Sequence, residues 1–290
     1  MLQLRVQVNA QIAEHVEELL FTCGAVSVSY EDAADEPILE PKIGDHPLWS
    51  NLVLQGHFTS EQSIQLATKA LDNDPLVSQQ IILAQIEDQD WQANFQQQFS
   101  AMQFGPLWIY PSWEDNPAPN GISLQLDPGL AFGTGHHATT NLCLSWLGAS
   151  ELEGLTVIDF GCGSGILALA ASRLGATHVH AVDIDPQAVT ATHDNIGRNQ
   201  LNVSNFTVGT SDCLADISTD IIIANILAAP LIKLRDAFLQ HLKANGRLVV
   251  SGILHSQTES ICQHYSQHFT CDQIYQREEW VCISFTRISV

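Results

Sequence analysis

The segment VIDFGCGSGILALAASRLG, Val157 to Gly175, with the acidic HAVDIDP at His180 to Pro186, restricts the fold more than any other part of this chain. It reads as an apolar strand, a glycine turn, a helix and a second strand ending at Asp183. That is the opening half of a nucleotide-binding α/β unit. Glycine in the turn lets backbone approach a ligand closely, because no Cβ stands in the way. Asp183 lies 22 residues after Gly161 and 20 after Gly163. At that spacing an acidic side chain meets a ribose diol in such units.

From about Leu152 onward strands and helices alternate, which implies a parallel sheet with crossovers. The expected strands are Thr156 to Phe160, His178 to Ile184, Phe206 to Val208, Asp220 to Ile226 and Arg247 to Leu254. Helices are expected over Ile166 to Leu174, Gln187 to Asn199 and Ala229 to Leu242. Asp185 and Pro186 suit the cap and first position of the second helix. Thr270 to Gln276 and Glu279 to Arg287 are joined too tightly for a crossover, so they must pair antiparallel.

The first ninety residues follow another rhythm, β-α-β-β-α-β, the ferredoxin-like order. Strands are expected over Leu2 to Val8, Ala25 to Tyr30, Asn51 to Thr59 and Ile81 to Ile86. Helices fall at Ala10 to Phe21 and from the Ser60 cap to Leu71. Trp91, Phe95 and Phe99 recur at helical spacing within Asp88 to Ser100, which reads as a connecting helix. The division expected is a ferredoxin-like recognition domain over 1–88, a linker helix over 89–100 and an α/β domain over 101–290.

Charge narrows the partners. The chain of 290 residues carries 32 acidic and 11 basic side chains, a net of −21. Met1 to Asp90 holds 15 Asp or Glu against 3 Lys or Arg, a net of −12. Such a surface repels nucleic-acid phosphates and suits a basic protein, so no direct nucleic-acid binding is expected. No apolar run reaches membrane-spanning length and no secretory leader is legible. The seven cysteines form no C-x-x-C pair, which suits reduced thiols and a cytoplasmic location. Cys162, inside the glycine turn, reads as a spacer rather than a reactive thiol. His178 with His180, and His264 with His268, read as exposed histidines, and no metal is expected.

Three features address which nucleoside the turn would hold. Asp159 ends the first strand, where a carboxylate opposes a pyrophosphate and favours a cationic ligand; it could also cap turn N–H groups. Asn225 stands at the carboxyl end of the fourth strand, where open α/β sheets bind ligands. The terminal antiparallel hairpin departs from a dinucleotide domain. Together these favour S-adenosylmethionine over a nicotinamide dinucleotide, which stays as the alternative.

At these residues the chain resembles the seven-stranded, Rossmann-like S-adenosylmethionine-dependent methyltransferases. LDPGLAFGTGHHATTNLCLSWL, Leu126 to Leu147, and ANILA, Ala224 to Ala228, resemble one family among them, the methyltransferases of ribosomal protein eleven of the large subunit. DWQANFQQQF and LWIYPSW are also similar to that family, so the resemblance spans essentially the whole chain. It implies an α/β Rossmann-like seven-stranded sheet with a C-terminal antiparallel hairpin, preceded by the small ferredoxin-like α+β domain. It further implies a protein-lysine N-methyltransferase acting on lysine and N-terminal α-amines of that ribosomal protein. Carried over, the cofactor contacts are Thr140, Gly161, Asp183 and Asn225. No acid–base catalyst is assigned, and Asn225 is the best candidate to orient the amine. The chain departs from the family's GTGTHPTT in reading GTGHHATT, with His136 for Thr and Ala138 for Pro; His136 is expected to be a solvated loop residue. The alternatives are a glutamine-amide methyltransferase of release factors, against which ANILA in place of Asn-Pro-Pro-aromatic argues, and a cofactor-binding regulator without catalysis.

Overall fold

The computed structural model describes residues 2–34, 48–77, 81–85, 99–127 and 135–289. The chain divides into two compact units, Met1–Asn94 and Phe95–Val290.

The first unit runs β1 (Leu2–Asn9), α1 (Ala13–Thr22), β2 (Ser27–Asp32), β3 (Asn51–Phe58), α2 (Glu61–Asp72) and β4 (Ile81–Gln85). The sheet order is β2-β3-β1-β4 with every neighbour antiparallel. Alternation sends Leu4, Val6 and Val8 of β1, and Leu52, Leu54 and Phe58 of β3, to one face. Val16 and Leu20 of α1 and Ile64, Ala67 and Leu71 of α2 close over that face in one cluster. Local chemistry sets the helix ends. Ser60 Oγ accepts the Ser63 N–H at 3.1 Å as cap of α2. The connecting helix expected at 89–100 lies outside the described residues but for Phe99 and Ser100.

The second unit opens with a small sheet the sequence did not announce: β5 (Met102–Phe104), β6 (Leu107–Tyr110) and β7 (Ile122–Gln125). Then come α3 (Ala138–Gly148), β8 (Thr156–Phe160), α4 (Ile166–Arg173), β9 (His178–Val182), α5 (Pro186–Arg198) and β10 (Phe206–Gly209). The chain continues with β11 (Thr219–Asn225), α6 (Ala228–His241), β12 (Leu242–Leu254), α7 (Thr258–Tyr265), β13 (Phe269–Arg277) and β14 (Trp280–Arg287). The order across the large sheet is β10-β9-β8-β11-β12-β14-β13. Its five strands from β10 to β12 are parallel, and β14 runs antiparallel to both neighbours. Strand order reverses between β8 and β11, and ligands of open α/β sheets bind outside the carboxyl ends at such a switch.

Both faces of this sheet are covered, so its strands are apolar throughout rather than alternating. Val157, Val179, Ile221 and Ile223 pack with α3, α4 and the small sheet. Ile158, Val182, Ile222 and Leu248 pack with α6 and α7. No helix among the described residues is long and apolar enough to cross a membrane.

Candidate functional site

Gly161 to Gly165 leaves the end of β8 and enters α4. Gly161, Gly163 and Gly165 all take left-handed backbone, with φ of +80°, +54° and +80°. A Cβ at Gly161 would stand 2.4 Å from Cγ2 of the Ile226 side chain, just past β11. Glycine is therefore required here twice over, for conformation and for space. The N–H groups of Gly161 and Cys162 donate to Val182 O at 2.8 and 3.1 Å, tying the turn to the end of β9. From α5, Thr192 Oγ1 donates to Gly163 O at 3.1 Å and Asn195 Nδ2 to Ser164 O at 2.9 Å. This clamp was not legible beforehand, because Thr192 and Asn195 sit on an amphipathic helix like many others.

Asp183 lies one residue beyond β9. Its Oδ2 accepts the Gly163 N–H at 2.9 Å and its Oδ1 the Asp185 N–H at 3.0 Å. Each oxygen keeps a lone pair for a further donor. Ile184 beside it is 93% exposed, an apolar side chain held in water at the rim of the crevice. Exposure of a single apolar residue is ordinary.

Asp159 is fully buried on β8. Its Oδ2 accepts the Ala168 N–H in the first turn of α4 at 2.9 Å. Its Oδ1 has no hydrogen-bond partner among the described residues. Burial pushes the carboxyl up to about 7, the Ala168 N–H opposes that, and Asp183 adds to it. The capping role is thus present, together with a spare buried acceptor. Burial likewise pushes the Cys162 thiol up to about 12, with Asp159 adding to it, and Cys162 Sγ lies 3.4 Å from Thr192 Oγ1. A thiol held protonated is a spacer, not a nucleophile.

The opposite wall is the start of α3. Asn225, the last residue of β11, donates from Nδ2 to Thr140 Oγ1 at 3.1 Å. His137 caps α3, its Nδ1 2.7 Å from Thr139 Oγ1, and packs edge-on to Trp280 with ring centroids 5.3 Å apart. Ser251 Oγ on β12 lies 3.4 Å from Thr139 O and donates to Val281 O at 3.0 Å. At Gly252, φ is +82° and a Cβ would meet Ile226 O at 2.4 Å, so β12 can press against the chain leaving β11 only as glycine.

The four residues expected at the site therefore meet in one strip. Thr140 bonds Asn225, the residue after Asn225 touches Gly161, and the turn that begins at Gly161 bonds Asp183. His136 departs from expectation: it is half-buried, its ring edge-on to Phe99 at 4.9 Å, because the neighbouring hollow is lined by Phe99, Met102 and Tyr110. His180 departs too. It is 7% exposed, its Nδ1 has no hydrogen-bond partner among the described residues, and its ring lies 4.6 Å from that of His178. The glycine cradle and the two Asp183 oxygens, each with a lone pair to spare, suit a nucleoside that brings hydroxyl donors, and a carboxylate there suits a pyrophosphate poorly.

A family model described as ribosomal protein L11 methyltransferase (PrmA) matches residues 1–288. The ribosomal protein L11 methyltransferase of Photorhabdus laumondii is 44% identical over 291 residues, covering 99% of this chain and 98% of the relative. That of Pectobacterium atrosepticum is 42% identical over 289 residues, covering 99% and 98%. The solved ribosomal protein L11 methylase of Lactobacillus delbrueckii subsp. bulgaricus is similar with a TM-score of 0.60 at 34% identity. It covers 66% of this chain and 100% of that one.

Proposed function

The chain belongs to the ribosomal protein L11 methyltransferase family, and on that premise we propose its reaction. It moves methyl groups from S-adenosylmethionine to lysine side-chain and N-terminal α-amines of ribosomal protein L11, in the cytoplasm. The observation that carries the reading is the strip from Thr140 through Asn225 and Gly161 to Asp183, at the switch between β8 and β11.

S-adenosylmethionine supplies a sulfonium-bound methyl group open to in-line displacement. The residues of the chain do the rest. The glycine turn lets backbone pass close to the nucleoside, and Asp183, already oriented by two N–H groups, offers its remaining lone pairs to ribose hydroxyls. Asn225 would accept an N–H of the incoming amine. That amine must be neutral, and a lysine in water has a pKa of about 10.4. Leaving water for a closed site lowers that value, and the proton goes to solvent. With no acid–base pair assigned, rate enhancement rests on proximity and orientation, worth about 7–11 kcal/mol in favourable cases.

The acid-rich first unit would carry the basic substrate. Its net of −12 over Met1 to Asp90 supports that role. Deletion of residues 1–88 is expected to abolish protein methylation and spare cofactor binding; full activity would remove that role. The reaction itself is tested with labelled S-adenosylmethionine, purified large-subunit ribosomal proteins and, in parallel, release factors. Mass spectrometry should find added methyls on lysines or the α-amine of L11. Label on release-factor glutamine instead would replace the substrate assignment.

A further inference from the structure

Two cysteines with no part in the reaction proposed above lie together at the edge of the large sheet. Cys262 is on α7 and Cys271 on β13, the outermost strand. Packing brings them to one place. Alternate side chains of a strand face the same way. Phe269 points inward, its ring 5.5 Å from that of Tyr265, so Cys271, two residues on, faces α7 as well. The partner of Cys271 across the ladder is Phe285, whose ring stacks on Tyr265 at 5.4 Å. Cys262 stands about one helical turn before Tyr265 and packs against the same cluster. The two thiols are hydrogen-bonded to each other.

Access separates them from the other close pair. Cys143 and Cys282 are also hydrogen-bonded, but neither has exposed surface. Cys271 is exposed and Cys262 half-buried, so a small reagent reaches this pair from solvent. We propose that Cys262 and Cys271 form a dithiol site for small-molecule disulfides of the glutathione type, closing reversibly to a disulfide that fastens α7 to the edge strand. First, a thiolate of the pair attacks one sulfur of the small disulfide; a mixed disulfide forms and one small thiolate leaves. Then the other cysteine attacks the protein sulfur of the mixed disulfide, and the second small thiolate leaves. The protein loses two protons and two electrons; the small disulfide is reduced, and its two thiolates take up the protons. Partial burial pushes the Cys271 thiol up to about 11, with the Cys262 sulfur adding to it, so exchange is slow at neutral pH and quickens as pH rises. Cys162 is held protonated too, but it is buried, with Thr192 rather than a second sulfur against it.

The test exposes the reduced full-length protein to oxidised glutathione at about pH 8.5, where more of the thiol is ionised. Remaining thiols are then alkylated in denaturant and the digest is read by mass spectrometry. The expected product is a peptide pair joined through Cys262 and Cys271, with the other cysteines alkylated, and dithiothreitol should restore both thiols. Cys262→Ser and Cys271→Ser should each stop at a stable glutathione adduct on the cysteine that remains. A thermal scan gives a second reading. Oxidation should raise the unfolding midpoint of the wild type by roughly 5 °C and leave that of Cys271→Ser unmoved. Separate glutathione adducts on Cys262 and Cys271 in the wild type, or a link joining other cysteines, would overturn the proposal. So would two unmodified thiols after an exposure that modifies the unfolded chain. A link that forms while the midpoint falls would show that closing it distorts the fold, and would equally remove the site.

Discussion

The two units bury very different material. Among the described residues of Met1–Asn94, the core is apolar: Leu4, Val6, Leu20, Leu54, Phe58 and Leu71 are fully buried, and no polar side chain joins them. In Phe95–Val290, Thr139, Thr140, Asp159, Ser164, Thr192 and Ser251 are buried with their polar groups, and they gather around the glycine turn and the start of α3. Burying a polar group is costly unless it is paired, and an unpaired one costs most. The first unit is therefore what plain hydrophobic patterning makes. The second buries polar groups as well, and Asp159 Oδ1 and His180 Nδ1, which have no partner among the described residues, cost it stability.

This difference can be broken at its strongest point first. Leu4→Ala hollows the first unit's core and should cost about 2–5 kcal/mol in that unit's unfolding transition. S-adenosylhomocysteine affinity, read by calorimetry at a temperature where the variant remains folded, should not change. A large loss of affinity would mean that the units do not divide the work as described.

Gly161→Ala acts on the other side of the comparison. The left-handed backbone alone costs a non-glycine residue about 1–3 kcal/mol, and the added Cβ would force Ile226 aside. Thermal unfolding should shift down modestly, while cofactor binding is lost from calorimetric detection. Retained binding would show that close backbone approach at Gly161 is not what the turn provides.

Legibility in the sequence divides along the same line. Period-2 and period-3.6 patterns announced β1, β3, α1 and α2, because in a one-sided sheet burial follows sequence position directly. The strands β8, β9 and β11, the terminal hairpin and the glycine turn were also legible, the last through residue types that only special backbone demands. α7 was not, since Ile261 and Tyr265 are its only buried residues and its remaining positions are polar. The small sheet β5-β6-β7 escaped because its strands are three or four residues long. Thr140, Gly161, Asp183 and Asn225 came from resemblance and spacing. The bond between Thr140 and Asn225 spans 85 positions, and no local pattern carries it.

The finest test lies inside the second unit, where two buried ionisable groups pull stability in opposite directions. Burial raises Asp159 to about 7, against about 3.9 in an unfolded chain. Between those values the folded state holds a proton that the unfolded state has lost, so this group's contribution fades as pH climbs from 4 to 7. Burial, with His178 and His241 nearby, lowers His180 to about 4, against about 6.5 unfolded. There the unfolded state takes up the extra proton, so stability fades as pH falls from 6.5 to 4. The two slopes, each at most about 1.4 kcal/mol per pH unit, oppose each other across that shared window. Urea unfolding of the cofactor-free protein at pH 4.5, 5.5 and 6.5 separates them. Asp159→Asn should make stability rise more steeply with pH, and His180→Gln should make it fall with pH, relative to the wild type. Curves that stay parallel to the wild type would mean that neither group is held in its neutral form by the fold.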